Sequence, residues 1–208
     1  MLFRSCSGSR RSACVLPLMM FVAGLVALAG GAHAAPNLTL DFSGNGPHGS
    51  ANVGDTVTVS IIANEIPAGT DSKGLFGFGF DLSFDPSLVA ASPATAGPLW
   101  ALSGFSDSSS TASSVGLSAN RFFQASGPSG SGILLATIDL LAQSAGVSSL
   151  ELSWYTGGPG DNSLFDGTVL DGSASFFVGG SLEVIPEPSS ALLIGLGLAG
   201  LTYKRRPR

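Results

Sequence analysis

Apolar and polar residues alternate with a period of two through most of the chain between residues 37 and 184. Leu38, Leu40 and Phe42 alternate with Thr39 and Asp41, and Val57, Val59 and Ile61 with Thr56, Thr58 and Ser60. Phe76, Phe78, Phe80, Leu82 and Phe84 alternate with Gly77, Gly79, Asp81 and Ser83, and Leu150, Leu152 and Trp154 with Glu151 and Ser153. Successive side chains of a strand point to opposite faces, so each run predicts a strand with one face on a core and the other in water. By that phase Trp154 belongs to the core and Tyr155 points the other way. Residues 133–142 are more continuously apolar, as expected of a strand covered on both faces. Gly54-Asp55, Asp85-Pro86, Gly127-Pro128, Gly157-Gly158-Pro159-Gly160 and Gly179-Gly180 supply turns between the runs. Residues 90–114, rich in Ser, Ala, Thr and Pro, predict a long excursion with little strand. Residues 155–171 predict a loop rich in Gly and Asp. No amphipathic helix of ordinary length appears, and many short strands with frequent turns predict an all-β sandwich or related barrel.

The two ends break the alternation. Arg4, Arg10 and Arg11 precede an apolar run at residues 15–29, followed by the small-x-small triplet Ala32-His33-Ala34. That order predicts a secretory signal helix over residues 1–34, removed by signal peptidase with Ala32 and Ala34 framing the cut. At the other end, Pro186, Glu187 and Pro188 precede an apolar run at residues 191–203, expected to be a single hydrophobic helix, and then Lys204, Arg205, Arg206 and Arg208. A basic cluster directly after an apolar segment is retained on the cytoplasmic side, which puts the preceding chain outside. A helix over those 13 residues rises about 20 Å, against a hydrocarbon core of about 30 Å. The shortfall suits a transient anchor better than a permanent one. Three parts result: a signal peptide (1–34), a body (35–183) long enough for a real core, and a tail (184–208).

Charge narrows the function. Seven of the nine basic residues sit in the leader and tail, leaving Lys73 and Arg121 for the body, whereas all 14 acids lie between Asp41 and Glu187. A body this acidic lacks the cationic footprint of a nucleic-acid binder. Both cysteines, Cys6 and Cys14, precede the expected cut, so the mature chain would contain neither a disulfide nor a thiol nucleophile.

Residues with catalytic potential are scattered. His48 is the only histidine after the leader and reads as part of the loop Gly44-Asn45-Gly46-Pro47-His48-Gly49. Glu65 and Glu151 are conceivable partners for glycoside hydrolysis, which needs two opposed carboxylates, but nothing in the sequence pairs them. Asp81 and Asp85 belong to a strand and its turn. Asp161, Asp166 and Asp171 recur every five residues and could offer oxygen ligands to calcium, although the EF-hand order is missing. The letters Gly195-x-Gly197-x-x-Gly200 lack the strand-turn-helix setting of a dinucleotide site. Trp100 and Tyr155 are candidates for stacking on a sugar ring.

The tail resembles the PEP-CTERM sorting signal of Gram-negative bacteria in its Pro186-Glu187-Pro188 core, apolar run and basic end. The resemblance implies recognition by an exosortase, a membrane-tethered intermediate in the inner membrane, and delivery to the cell surface or exterior. The body resembles a cohesin in Gly54-Asp55-Thr56-Val57-Thr58-Val59, the run from Gly77 through Phe84-Asp85-Pro86 to Leu88, residues 132–141 and residues 146–152. That resemblance implies a jelly-roll sandwich of about nine strands and a protein–protein binding or adhesive role in an extracellular matrix or biofilm; the scattered residues above add the expectation of no catalysis and no cofactor beyond calcium. The alternative is a carbohydrate-binding module, to which cohesins are related in fold, acting on extracellular polysaccharide.

Overall fold

The computed structural model describes residues 34–68, 74–100, 105–121, 123–156, 162–170 and 175–187. The expected terminal helices, Ala32, Pro188 and the basic tail lie outside these residues. The described chain from Ala35 onward belongs to one compact unit.

In order, the strands are β1 (Asn37–Asp41), β2 (His48–Asn52), β3 (Thr56–Asn64), β4 (Leu75–Ser83), β5 (Val89–Ala91), β6 (Thr95–Ala96), β7 (Phe105–Ser110), β8 (Ser114–Asn120), β9 (Ile133–Ala142), β10 (Gly146–Ser153), β11 (Ser163–Leu164), β12 (Phe177–Val178) and β13 (Gly180–Ile185). They form two sheets. The first runs β12-β1-β3-β9-β5, with β6 also on β9; the second runs β2-β13-β10-β4-β8-β7, with β11 also on β4. The fold is therefore an all-β sandwich, as the alternation predicts. The expectation of about nine strands falls short because β5, β6, β11 and β12 are only two or three residues long.

The core lies between the sheets. Leu38, Leu40, Val59, Ile61, Ile138 and Leu140 point in from the first, and Phe78, Phe80, Leu82, Leu117, Leu150 and Leu182 from the second. Each such side chain contributes about 1.5–3 kcal/mol by leaving water. Phe78 meets Trp100 edge-on, with ring centroids 4.8 Å apart.

The termini close the sandwich. The chain passes from β1 in the first sheet to β2 in the second, and near its end from β12 in the first to β13 in the second. Both end pairs are parallel, β1 with β12 and β2 with β13. Gly180 sits where these crossovers meet: a Cβ there would lie 1.9 Å from the Pro47 carbonyl oxygen, so no larger residue fits.

Three expectations need correction. The Ser-rich segment 105–110 is a full strand, paired with β8 from Phe105↔Asn120 to Ser110↔Val115. Its propensity is poor, but β8 offers a free ladder edge, and pairing overrides composition. Residues 133–142 are covered on both faces only in their first half, since Asp139 and Leu141 are exposed. A bulge opposite Ile61 and Ile62 leaves Leu135 as an extra residue, and both Leu135 and Ala136 are buried there. His48, read as a loop residue, opens the edge strand β2.

Candidate functional site

The outer face of the second sheet holds the chain's most unusual local structure. Strand β10 pairs with β4 as far as Ser153↔Asp81, and β11 resumes the same side of β4 at Ser163↔Gly77. Ten residues advance against four, so six are looped out. The break is bridged by Asn162, fully buried, whose side-chain amide donates to the Gly79 carbonyl (2.8 Å) and accepts from the Gly79 N–H (3.3 Å). A side chain thus supplies hydrogen bonds that the missing strand residue would have made.

The described start of that segment, Tyr155 and Thr156, bonds back onto the sheet as a strap. The Thr156 N–H and hydroxyl both donate to Asp81 Oδ2 (2.9 and 2.6 Å), and the Ser109 hydroxyl reaches Asp81 Oδ1 at 3.4 Å. The Tyr155 hydroxyl donates to Asp107 Oδ2 at 2.9 Å. Burial, then the hydrogen bond to Asp107 and its charge, push the Tyr155 phenol up to about 12. Asp81 is only 7 % exposed, and its charge is met by donors of the strap rather than by a cation. Gly116 makes the room: a Cβ there would lie 1.9 Å from Asp81 Oδ1. The alternating pattern of β4 assigned this face to water; the strap buries it.

Beyond the strap the same face is open. Val147, Ser149 and Glu151 on β10, Glu183 and Ile185 on β13, and His48, Ser50 and Asn52 on β2 are exposed. Cross-strand register aligns Val147 with Glu183 and Ser149 with Ser181. A shallow hollow of about 390 Å³ lies between Ser83, Phe84, Asp85, Val147, Ser149 and Glu151. The Asp85 carboxyl is held below its usual range by hydrogen bonds from the Ser87 hydroxyl and N–H. Among the described residues the one Lys or Arg is Arg121, whose guanidinium is engaged elsewhere, donating to the Leu99 carbonyl at 2.7 Å and lying 5.7 Å from the Trp100 ring. The open half is accordingly an exposed, acidic surface with several serines and a shallow hollow. Such a surface can present hydroxyls and carboxylates to a basic or N–H-rich partner.

The stacking candidates are overturned. Trp100 is 1 % exposed and packs on Phe78, and Tyr155 is 7 % exposed beneath the strap, so neither offers a ring face to a sugar. Trp154, expected in the core, is 52 % exposed. The phase of β10 ends with the strand at Ser153, so Trp154 leaves the core, whereas Tyr155 keeps the outward direction that the phase predicts, its hydroxyl on Asp107, and is covered there instead of exposed. Trp154 stands beside Phe177 at 6.1 Å, but the rings are tilted by 52°, which is not a planar platform.

The other candidates do not converge. Glu65 lies in the turn after β3, where its N–H and carboxylate exchange hydrogen bonds with the Ser131 hydroxyl, while Glu151 is on β10 of the other sheet. His48 Nδ1 lies 2.9 Å from the Ser181 hydroxyl, across the β2–β13 pair. Asp166 accepts the Thr168 N–H at 2.8 Å, which lowers its pKa, and it behaves as a turn residue. Asp161 and Asp171 lie outside the described residues, among which no group of three candidate ligands gathers. Sequence reasoning missed Asp107 and Asn162, because both fall in stretches it read as irregular, 90–114 and 155–171.

Comparison with known proteins divides the chain in the same way. Residues 184–206 match the PEP-CTERM protein-sorting motif. The sandwich is similar to cohesin modules. A cohesin from a type I cohesin–dockerin complex of Clostridium thermocellum aligns over 73% of this chain and 100% of its own, with a TM-score of 0.57 and 15% identity. The seventh ScaB type I cohesin of Pseudobacteroides cellulosolvens aligns over 75% and 96%, with a TM-score of 0.55 and 18% identity. The cohesin module of a Clostridium perfringens family 33 glycoside hydrolase aligns over 74% and 98%, with a TM-score of 0.53 and 11% identity. No curated protein sequence matches the chain.

Proposed function

We propose that this chain is an exported binding protein, carried to the surface of a Gram-negative cell by its sorting tail, whose cohesin-like sandwich docks a partner protein through the open outer face of the second sheet. The leader (1–34) is removed by signal peptidase, the tail (184–208) is read by an exosortase around Pro186, Glu187 and Pro188, and the body (35–183) does the binding. Lys204, Arg205, Arg206 and Arg208 hold the precursor in the inner membrane until processing. The observation that carries the binding reading is the strip of Val147, Ser149, Glu151 and Glu183, exposed side by side in a register set by the sheet.

Two of the similar folds were solved as cohesin–dockerin complexes, which supports a protein partner by analogy of fold. A non-catalytic role is supported by the separation of Glu65 and Glu151 on different sheets and by the burial of Asp81 under the strap. The polysaccharide alternative has lost the two rings that motivated it, Trp100 and Tyr155.

The test has two arms. Mass spectrometry of the extracellular protein is expected to find it without residues 204–208, and retention of those residues would defeat the sorting reading. Processed protein is expected to capture a partner from the cell's own exterior, and Val147→Asp with Glu183→Lys to abolish capture without lowering the melting temperature. Capture unaffected by that pair, or selective glycan binding in its place, would defeat the docking reading.

A further inference from the structure

The sorting motif begins inside the folded body. Its matched segment opens at Val184, and Val184 and Ile185 are the last two residues of β13. Val184 pairs with Ala51 on one side and Gly146 on the other, and Ile185 pairs with Asn52. The Ile185 carbonyl accepts the Val53 N–H at 3.0 Å. β13 lies between β2 and β10, and its Leu182 and Val184 are 0 and 2 % exposed. Peeling it back would open two ladders and part of the core. Pro186 has no N–H to continue a ladder, and both it and Glu187 are exposed.

This leaves a short tether. Five residues, Pro186 to Ser190, separate the strand from the apolar run that starts at Ala191. Fully extended, they span at most about 17 Å. One end of the sandwich is therefore kept at the membrane surface while the apolar run is inserted. That end is a connected surface. Gly54 donates to the Ala142 carbonyl and Ala142 to that of Asp55, while Gln143 and Ser144 donate to the Leu88 carbonyl. The bridge between Ile66 and Gly130 lies at the opposite end.

We infer that this end, made by the turns around Asp55, Ser87 and Ser144 and by Ile185, is a docking surface for the membrane-bound enzyme that reads the motif. The folded body then presents the start of the motif, Pro186 and Glu187, directly from the end of β13. The inference rests on the sorting function proposed above. A protein fits better than a lipid surface, because the exposed charges here are Asp55, Asp85 and Glu187, and the described residues of this end include no Lys or Arg to bind phosphate headgroups. A partner offering basic or N–H groups complements them, and Ile185, 43 % exposed, adds apolar contact beside the motif.

The experiment follows conversion of the full-length precursor to released protein in host cells with an intact sorting enzyme. A Gly/Ser spacer is placed after Ile185, with Val-Ile repeated ahead of Pro186 so that the motif's own flank is kept. Lengthening the tether from five to about twenty residues dilutes the body at the enzyme about eightfold, and conversion is expected to slow by that factor. Ser144→Lys with Ala145→Lys is expected to slow conversion as well, and Ser129→Lys, at the opposite end, to leave it unchanged, all with unaltered melting. A photo-crosslinker at Ser144 is expected to label the sorting enzyme. Unchanged or faster conversion with the spacer, or labelling of lipid alone, overturns the docking surface. Under those outcomes, a block of conversion by Glu187→Ala shows that the sorting reading stands; if Glu187→Ala has no effect, that reading fails and the docking surface falls with it.

Discussion

The outer faces of the two sheets use the same kinds of residue and treat them oppositely. On the first sheet, polar side chains bond to each other across strands: Thr58 donates to Asp139 at 2.6 Å, and Asn64 donates to Thr39 at 3.1 Å. At these positions the face bonds within itself. On the second sheet, Asp81 and Asp107 bond to a strap that arrives from elsewhere in the chain, while Ser149, Glu151 and Glu183 are exposed. A face whose polar groups already have partners gains little from a ligand. The open half of the second does not have that disadvantage, because its hydroxyls and carboxylates can exchange water for a partner's donors.

The comparison can be broken most severely at Gly116. Gly116→Val would drive a side chain into Asp81 and the Phe80 carbonyl, and is expected to destabilise the fold by about 3 kcal/mol, read as a lowered melting temperature. Thr58→Val on the first sheet forfeits only the bond to Asp139 and should cost about 1 kcal/mol. Equal losses would mean that the strap contributes nothing special.

Asp81→Ala is the next test. It removes the acceptor of two Thr156 bonds, with an expected loss of about 2 kcal/mol, and should speed proteolysis between Thr156 and Asn162. Unchanged cleavage would show that the strap stays down without its anchor.

Tyr155→Phe isolates the second anchor and is expected to cost about 1 kcal/mol. The same bond predicts a pH dependence. Because folding raises the phenol above its ordinary value near 10, its contribution is complete below about pH 10 and is lost as pH rises through about 12. With Tyr203→Phe as background, Tyr155 is the sole tyrosine, and phenolate absorbance follows it directly. An ordinary midpoint would contradict the buried bond.

The smallest effect on stability belongs to the open half. Glu151→Gln with Glu183→Gln is expected to change folding by no more than about 0.5 kcal/mol. It should also weaken partner capture and flatten its salt dependence. If folding suffers instead, these carboxylates belong to the structure and not to a binding face.

Legibility differed by position along the strands. The inward sets of β1, β3 and β4 follow from period two, because a strand beside a core has no other way to hide alternate residues. The tail was legible because charge order and apolar length act through the membrane without any fold. Trp154 was misread because the phase of a strand holds only while the strand lasts, and nothing local marks its end at Ser153; Tyr155 was rightly pointed away from the core but wrongly left open to a ligand. Asp81 carried a correct outward assignment and an incorrect solvent one, since a strap 75 residues away covers it. The strand at 105–110 was hidden because its serines have no preference of their own and take the ladder that β8 extends to them.

By itself, the sequence determined an all-β body and a sorting motif in its tail. These depend on periodicity, composition and charge, which act locally or through a uniform solvent. Only the tertiary structure decided that Thr156 covers Asp81, that Trp154 is exposed while Trp100 is buried against Phe78, and that the sorting motif starts within an interior strand. Each depends on which distant segments come to lie side by side, and long-range pairing follows from the whole set of competing edges and faces, not from any one stretch of chain.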